Sequence, residues 1–184
     1  MFIQTEATPN PETLKFLPGK VVLANDTREY LTAEDASESP LAAALFDVKG
    51  VKSVFFGYDF VTVTKSDADW QHLKPAILGA IMEHFVSGAP LFRGEQVVQV
   101  EDEFFDSEDS ETVATIKELL ETRIRPAVAN DGGDITFKGF RDGIVYLTMK
   151  GACSGCPSST ATLRHGIQNL FKHFLPDVKE VQAA

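Results

Sequence analysis

The 184-residue chain is 43% hydrophobic and leans on phenylalanine, with 14 Phe against three Tyr and one Trp. That length suits one ordinary domain or two small ones, and no run of roughly 18 apolar residues marks a membrane span. The formal charge of −10 sets 17 bases against 27 acids, without the basic excess of a nucleic-acid binder.

The opening "MFIQTEATPNPE" lacks a basic, apolar or Arg-rich leader. The expected setting is cytoplasmic (bacterial), the alternative being the processed form of a mitochondrial protein. The same stretch reads as a strand, a Pro-Asn-Pro bend and a second strand in "TLKFL". Ser39 and Pro40 pair an N-cap with a first helical residue, leading "LAAALFDV" to an expected stop at Gly50. "VKSVFF" and "FVTVT" flank Gly57-Tyr58-Asp59 as a hairpin. Asp67 is expected to cap a helix carrying Trp70, Leu73, Ile77, Ile81 and Phe85 at helical spacing up to Gly88. Pro75 inside that pattern predicts a kink or a restart. The helices should cover one face of a small sheet, in an α/β-like arrangement. His72 and His84 read as surface or packing residues, and no catalytic constellation is visible in this half.

Residues 89–110 read as a linker, with Gly, Pro and an acidic run lacking any sustained period. Seven acids and no base lie between positions 101 and 111; without them 17 bases would face 20 acids. Like charges repel and keep a segment extended, so a solvated spacer is the expectation. Phe104 and Phe105 are odd residues for a spacer, and docking onto a domain stays open for them.

In residues 111–184 the pattern is cleaner. Val113, Ile116, Leu120 and Ile124 mark one helical face, with Pro126 near the helix end and "NDGGD" supplying the left-handed stop. "ITFKGF" and "IVYLTM" are two strands joined through Arg141-Asp142-Gly143. A second helix carries Leu163, Ile167, Leu170, Phe171 and Phe174 on one stripe, and "PDVKEVQ" closes as a short strand. The expected fold class is α+β: an N-terminal small sheet covered by helices (1–88), an acidic linker (89–110) and a C-terminal α-β-β-α-β domain (111–184).

The chain's two cysteines, Cys153 and Cys156, sit together in "GACSGCPSS". Cys156 falls at the N-cap of the second helix and Pro157 at its first position, where a missing N–H costs nothing. Free backbone donors near Ser158 and Ser159, with the helix dipole, should favour thiolate over thiol. Gly151 and Gly155 let the backbone wrap around the sulfurs. Four readings compete. Two idle thiols fit poorly with this spacing at a glycine-rich turn. A dithiol oxidoreductase of thioredoxin type usually caps its helix with the first cysteine, whereas here the second one caps. Zinc needs four ligands, and His165 and His173 lie on the polar side of a helix leading away, so a zinc shared between two chains is the form left open. An iron–sulfur cluster commonly takes four thiolates, so two copies meeting about a two-fold axis would complete one site.

"RPAVANDGGDITFKGF", "YLTMKGACSGCPSSTATLRHGI" and "LPDVKEVQ" resemble the NifU C-terminal-type domain of the Nfu family of iron–sulfur carriers. "MFIQTEATPNPETLKFLPG" and "FFGYDFVTVTK" resemble that family's N-terminal domain. The resemblance implies a scaffold or carrier, not an enzyme. It would receive a [4Fe–4S] cluster, with [2Fe–2S] as the other option, from an upstream donor scaffold. It would hand that cluster to apo-proteins such as aconitase-type and lipoyl-synthase-type clients. Cys153 and Cys156 carry over as the ligands, in a homodimer when cluster-bound, with no nucleic-acid or membrane partner.

Overall fold

The computed structural model describes residues 1–94, 102–154 and 157–184, the last stretch by backbone alone at 157–159. The chain divides into two compact units, Met1–Val98 and Gln99–Ala184.

The first unit is built on an entirely antiparallel sheet. Its strands are β1 (Gln4–Ala7), β2 (Thr13–Leu17), β3 (Arg28–Tyr30), β4 (Val51–Phe56) and β5 (Val61–Lys65), in the order β1-β2-β5-β4-β3. Alternation along the strands sends Phe16, Val54, Phe56, Val61 and Val63 to one face. There they form a core with Leu41, Ala42 and Leu45 of α1 (Pro40–Phe46) and with Leu73, Ile77 and Ile81 of α2 (Trp70–Ser87). The N-cap of α1 is Ser39, whose Oγ accepts from the Ala42 N–H at 3.2 Å. The helix ends at Phe46, four residues before Gly50, which instead leads into β4 with φ 108°. Strand β3 escapes a periodicity reading because it is three residues long. It forms by pairing with β4, and its Tyr30 ring meets Phe56 edge-on at 5.6 Å.

One expectation about α2 is corrected: the cap is Asp69, not Asp67. Of the two outcomes expected at Pro75, a kink or a restart, the restart does not occur. Pro75 stands in the second turn, so its missing N–H forfeits one helical bond, which burial of Leu73, Ile77 and Ile81 outweighs. His84 is buried beside Phe85, and His72 is exposed.

The second unit is an α-β-β-α-β arrangement. Helix α3 (Ser110–Leu119) runs through one π-helical turn (Leu120–Ile124) into α4 (Arg125–Asn130), with Pro126 near the end of the helical run as expected. Gly132, at φ 82°, ends α4. Strands β6 (Gly133–Arg141) and β7 (Ile144–Gly151) form a hairpin whose Asp142 and Gly143 both have positive φ, as a two-residue loop requires. After α5 (Pro157–Phe174), β8 (Glu180–Ala183) pairs parallel with β7, a pairing that needs a helical crossover. Ile135, Phe137, Val145 and Leu147 pack with Ile116, Leu120, Val128, Ile167 and Phe171. Phe174 leaves the expected stripe. It is exposed at the end of α5, with Arg123 over its ring.

The acidic segment is not an extended spacer from Asp102 onward. The Phe104 N–H donates to the Lys138 carbonyl at 3.1 Å, and the Phe140 N–H donates to the Phe104 carbonyl at 2.9 Å. These bonds add Phe104 to β6 where a bulge separates Phe137 from Gly139 in the ladder. A Cβ at Gly139 would stand 2.4 Å from the Phe104 ring, so glycine is what admits it. Tyr146 and Arg141 flank that ring, Phe105 packs on Phe137, and Lys117 pairs with Glu103. In the first unit, the Arg93 N–H donates to the Glu38 carbonyl at 2.7 Å and Phe92 lies over Arg28. The described ends of the acidic segment are thus each tied to a unit.

Candidate functional site

Strand β7 ends at Gly151, whose φ of 70° turns the chain toward α5. The Ser154 N–H and hydroxyl both donate to the Gly151 carbonyl, at 3.1 and 2.9 Å, closing a tight turn. The Ala152 N–H donates to the Gly132 carbonyl at 3.2 Å, and the Thr160 hydroxyl of α5 donates to the Cys153 carbonyl at 2.9 Å. Cys153 is therefore held between the start of β6 and the first turns of α5. Cys156 and Gly155, with the side chains of Ser158 and Ser159, lie outside the described residues. Helix α5 begins at Pro157, the position the cap argument assigned to it.

The environment of Cys153 reverses one expectation. Its side chain is 7% exposed and belongs to the hydrophobic core. Burial pushes its thiol up to about 12, and the charges of Asp131 and Asp134 push in the same direction. The helix start does not win at this cysteine because the thiol is buried within the Gly151–Ser154 turn, over the "NDGGD" segment with its two carboxylates. Cys153→Ala should therefore cost stability, since the sulfur fills core volume.

Three residues that shape this site escaped the motif reading. Arg125 of α4 donates from Nε to Asp134 Oδ1 and from Nη2 to Oδ2, both at 2.9 Å. Gly133 packs its backbone against the Cys153 sulfur. "NDGGD" reads in sequence as a helix stop, and nothing in its spacing announces a pairing with a residue nine positions earlier. His165 and His173 are exposed on α5. Among the described residues no three His, Cys, Asp or Glu side chains cluster as a metal site. No helix of the described residues is long and apolar enough to cross a membrane.

Comparison with known proteins decides the family. A sequence model described as "Scaffold protein Nfu/NifU N terminal" matches residues 3–88, and one described as "NifU-like domain" matches residues 116–182. The "NFU1 iron-sulfur cluster scaffold homolog, mitochondrial" of Homo sapiens is 53% identical over 99% of this chain and 71% of its own length. The chain belongs to the Nfu/NifU scaffold family. The "NifU-like protein 4, mitochondrial" of Arabidopsis thaliana is likewise 53% identical over 99% of the chain, which spans 65% of that relative's length. A solution structure of a NifU-like protein from Saccharomyces cerevisiae is 27% identical over 52% of this chain and 87% of that one, with a TM-score of 0.47. The Nfu/NifU match covers the loop with Cys153 and Cys156 in one unit and nearly all of the other.

Proposed function

We propose that this chain is an iron–sulfur cluster carrier, not an enzyme in the turnover sense, whose cargo is a labile [4Fe–4S] cluster held between two chains. The observation that carries this reading is the position of the chain's only two thiols, Cys153 and Cys156, in the β7–α5 loop of a domain of the Nfu/NifU family. Four thiolates complete such a cluster, and a two-fold pair of these loops supplies four. A site made of two halves separates readily, which suits delivery to apo-clients of the aconitase or lipoyl-synthase type by exchange with their thiolates. An upstream scaffold would load it. The names of the relatives favour a mitochondrial setting over a cytoplasmic one.

Residues 111–184 carry the cluster in this reading, residues 1–88 recognise client or donor, and 89–110 join them. The neutral, buried Cys153 thiol fits a ligand that loses its proton only when iron arrives. The same burial speaks against a thiol–disulfide oxidoreductase that attacks with Cys153, since reactive thiols are exposed and ionise readily.

Anaerobic reconstitution with iron and sulfide tests the proposal. The expected product is a coloured dimer with about four iron and four sulfide, typed by Mössbauer spectroscopy and sized by its mass in solution. A colourless monomer that reduces disulfides would overturn it, and native zinc without transfer to an apo-client would favour a structural zinc dimer.

A further inference from the structure

Arg125 and Asp134 form a fork-to-fork pair between the first residue of α4 and the second residue of β6. The Asp134 side chain is only 5% exposed, and Oδ1 also accepts from the Ile135 N–H at 2.8 Å. Arg125 reaches Glu121 as well, on the solvent side. A planar guanidinium meets a carboxylate through two parallel bonds in one orientation, so such a pair fixes geometry more surely than it adds stability.

What the pair fixes is the backbone of residues 132–134, and the cysteine loop leans on that backbone at each step. Lys150 lies opposite Asp134 in the ladder, and Gly151 lies opposite Gly133. The Ala152 N–H bonds to the Gly132 carbonyl. The Cys153 sulfur is seated against Gly133, where a Cβ would stand 2.7 Å from it.

We infer that Arg125 and Asp134 are positioning residues for the cysteine loop, clamping the strand on which Cys153 is seated and so setting how readily its sulfur leaves the core to face a cluster. The geometry is independent of the function proposed above, whereas its meaning for a cluster rests on that reading. The clamp acts on the sulfur through the backbone at Gly133.

Thiol alkylation of the full chain carrying Cys156→Ser, where Cys153 is the sole thiol, tests the clamp without any cluster. With iodoacetamide under native conditions, Arg125→Gln is expected to raise the alkylation rate at least about tenfold, and Arg125→Lys by a smaller factor, because lysine keeps charge but loses the fork. Glu121→Gln, which leaves the Asp134 pair intact, is expected to change nothing. Val178→Ala is the control for general loosening. It is buried beside the Asp142–Gly143 turn, at the far end of β7 from Gly151, and should leave the rate unchanged. Equal acceleration by Arg125→Gln and Val178→Ala, or none by a folded Arg125→Gln, overturns the clamp. If Arg125→Gln does not fold by circular dichroism, a parental rate in Arg125→Lys overturns it instead. With both cysteines present, Arg125→Lys should shorten the half-life of a reconstituted cluster severalfold, and an unchanged half-life counts against the clamp. A parent chain that never takes up a cluster overturns the carrier reading alone, and the alkylation rates still judge the clamp.

Discussion

The sulfur of Cys153 rests against the backbone of Gly133, so closely that a Cβ there would lie 2.7 Å from both the sulfur and the Lys150 carbonyl oxygen. Neither neighbour can step aside cheaply, because one is a buried side chain and the other is backbone in the β6–β7 ladder. Gly133→Ala is therefore expected to push the cysteine loop outward at a cost of about 1–3 kcal/mol. Urea unfolding should register that loss, and reconstituted iron per chain should fall with it. A variant of parental stability and iron content would show that the loop yields freely.

The burial of Cys153 makes stability depend on pH in an identifiable window. In the unfolded chain the thiol ionises near 8.5, whereas in the folded chain it is pushed up to about 12. Between those values the unfolded state has released a proton that the folded state keeps, so stability falls as pH rises, by about 1.4 kcal/mol per pH step from this group. Below about pH 8 the effect is absent. The difference between parent and Cys153→Ala in denaturant midpoints from pH 8 to 10.5 isolates it, because lysines and tyrosines titrate alike in both. Parallel curves would refute the assignment.

Phe104 ties the acidic segment to β6 through two backbone bonds and a ring seated over Gly139. Phe104→Ala is expected to cost about 1–2 kcal/mol, as a half-buried aromatic contact should. Its signature is local. The Phe140 amide, which donates to the Phe104 carbonyl, should lose hydrogen-exchange protection, and limited proteolysis should cut within 102–109. Protection at Leu147 in the centre of the sheet should persist.

His84 in α2 titrates below the usual histidine value because burial penalises its charged form. Its imidazole resonances should therefore move at lower pH than those of a free histidine. The sign for stability follows from the same cause: the unfolded state takes up a proton first as pH falls below about 6.5, so the first unit loses stability there. His84→Gln should flatten that acid limb, and an imidazole titrating at the ordinary value would disprove the burial effect.

Asp134 has more at stake than its partner, because it is the more deeply buried of the two. Asp134→Ala leaves the Arg125 guanidinium half-enclosed without its carboxylate, and is expected to cost about 3 kcal/mol. Replacing both residues should recover part of that loss, which a double-mutant cycle in urea measures. Simple additivity would mean that the two side chains do not act as a pair.

Local signals in the sequence carried most of the architecture. The Ser39-Pro40 cap, the Asp142-Gly143 turn and the Gly132 stop are decided within a few residues, since capping, hairpin and left-handed conformations depend on neighbours in the chain. Their elements formed where those residues placed them. Strand β3 was not legible, because three residues carry no periodicity and form only against β4. The run through Pro75 was not legible either, because burial of Leu73, Ile77 and Ile81 overrides one missing hydrogen bond.

The cysteine loop shows the same division at finer scale. The spacing of Cys153 and Cys156, the glycines around them and the proline that starts α5 are properties of the sequence alone, and they are what points to a thiol site. Whether a thiol is exposed or buried depends on what packs over it from distant elements. Only the tertiary structure lays Cys153 on Gly133, brings Asp131 and Asp134 near its sulfur and spans α4 to β6 with Arg125. The contacts of Cys153 join segments about 20 residues apart in sequence and the Arg125–Asp134 pair spans nine, and no local pattern encodes them. In the same way a charge run predicted a spacer, and the fold docked Phe104 into the gap that Gly139 leaves on β6.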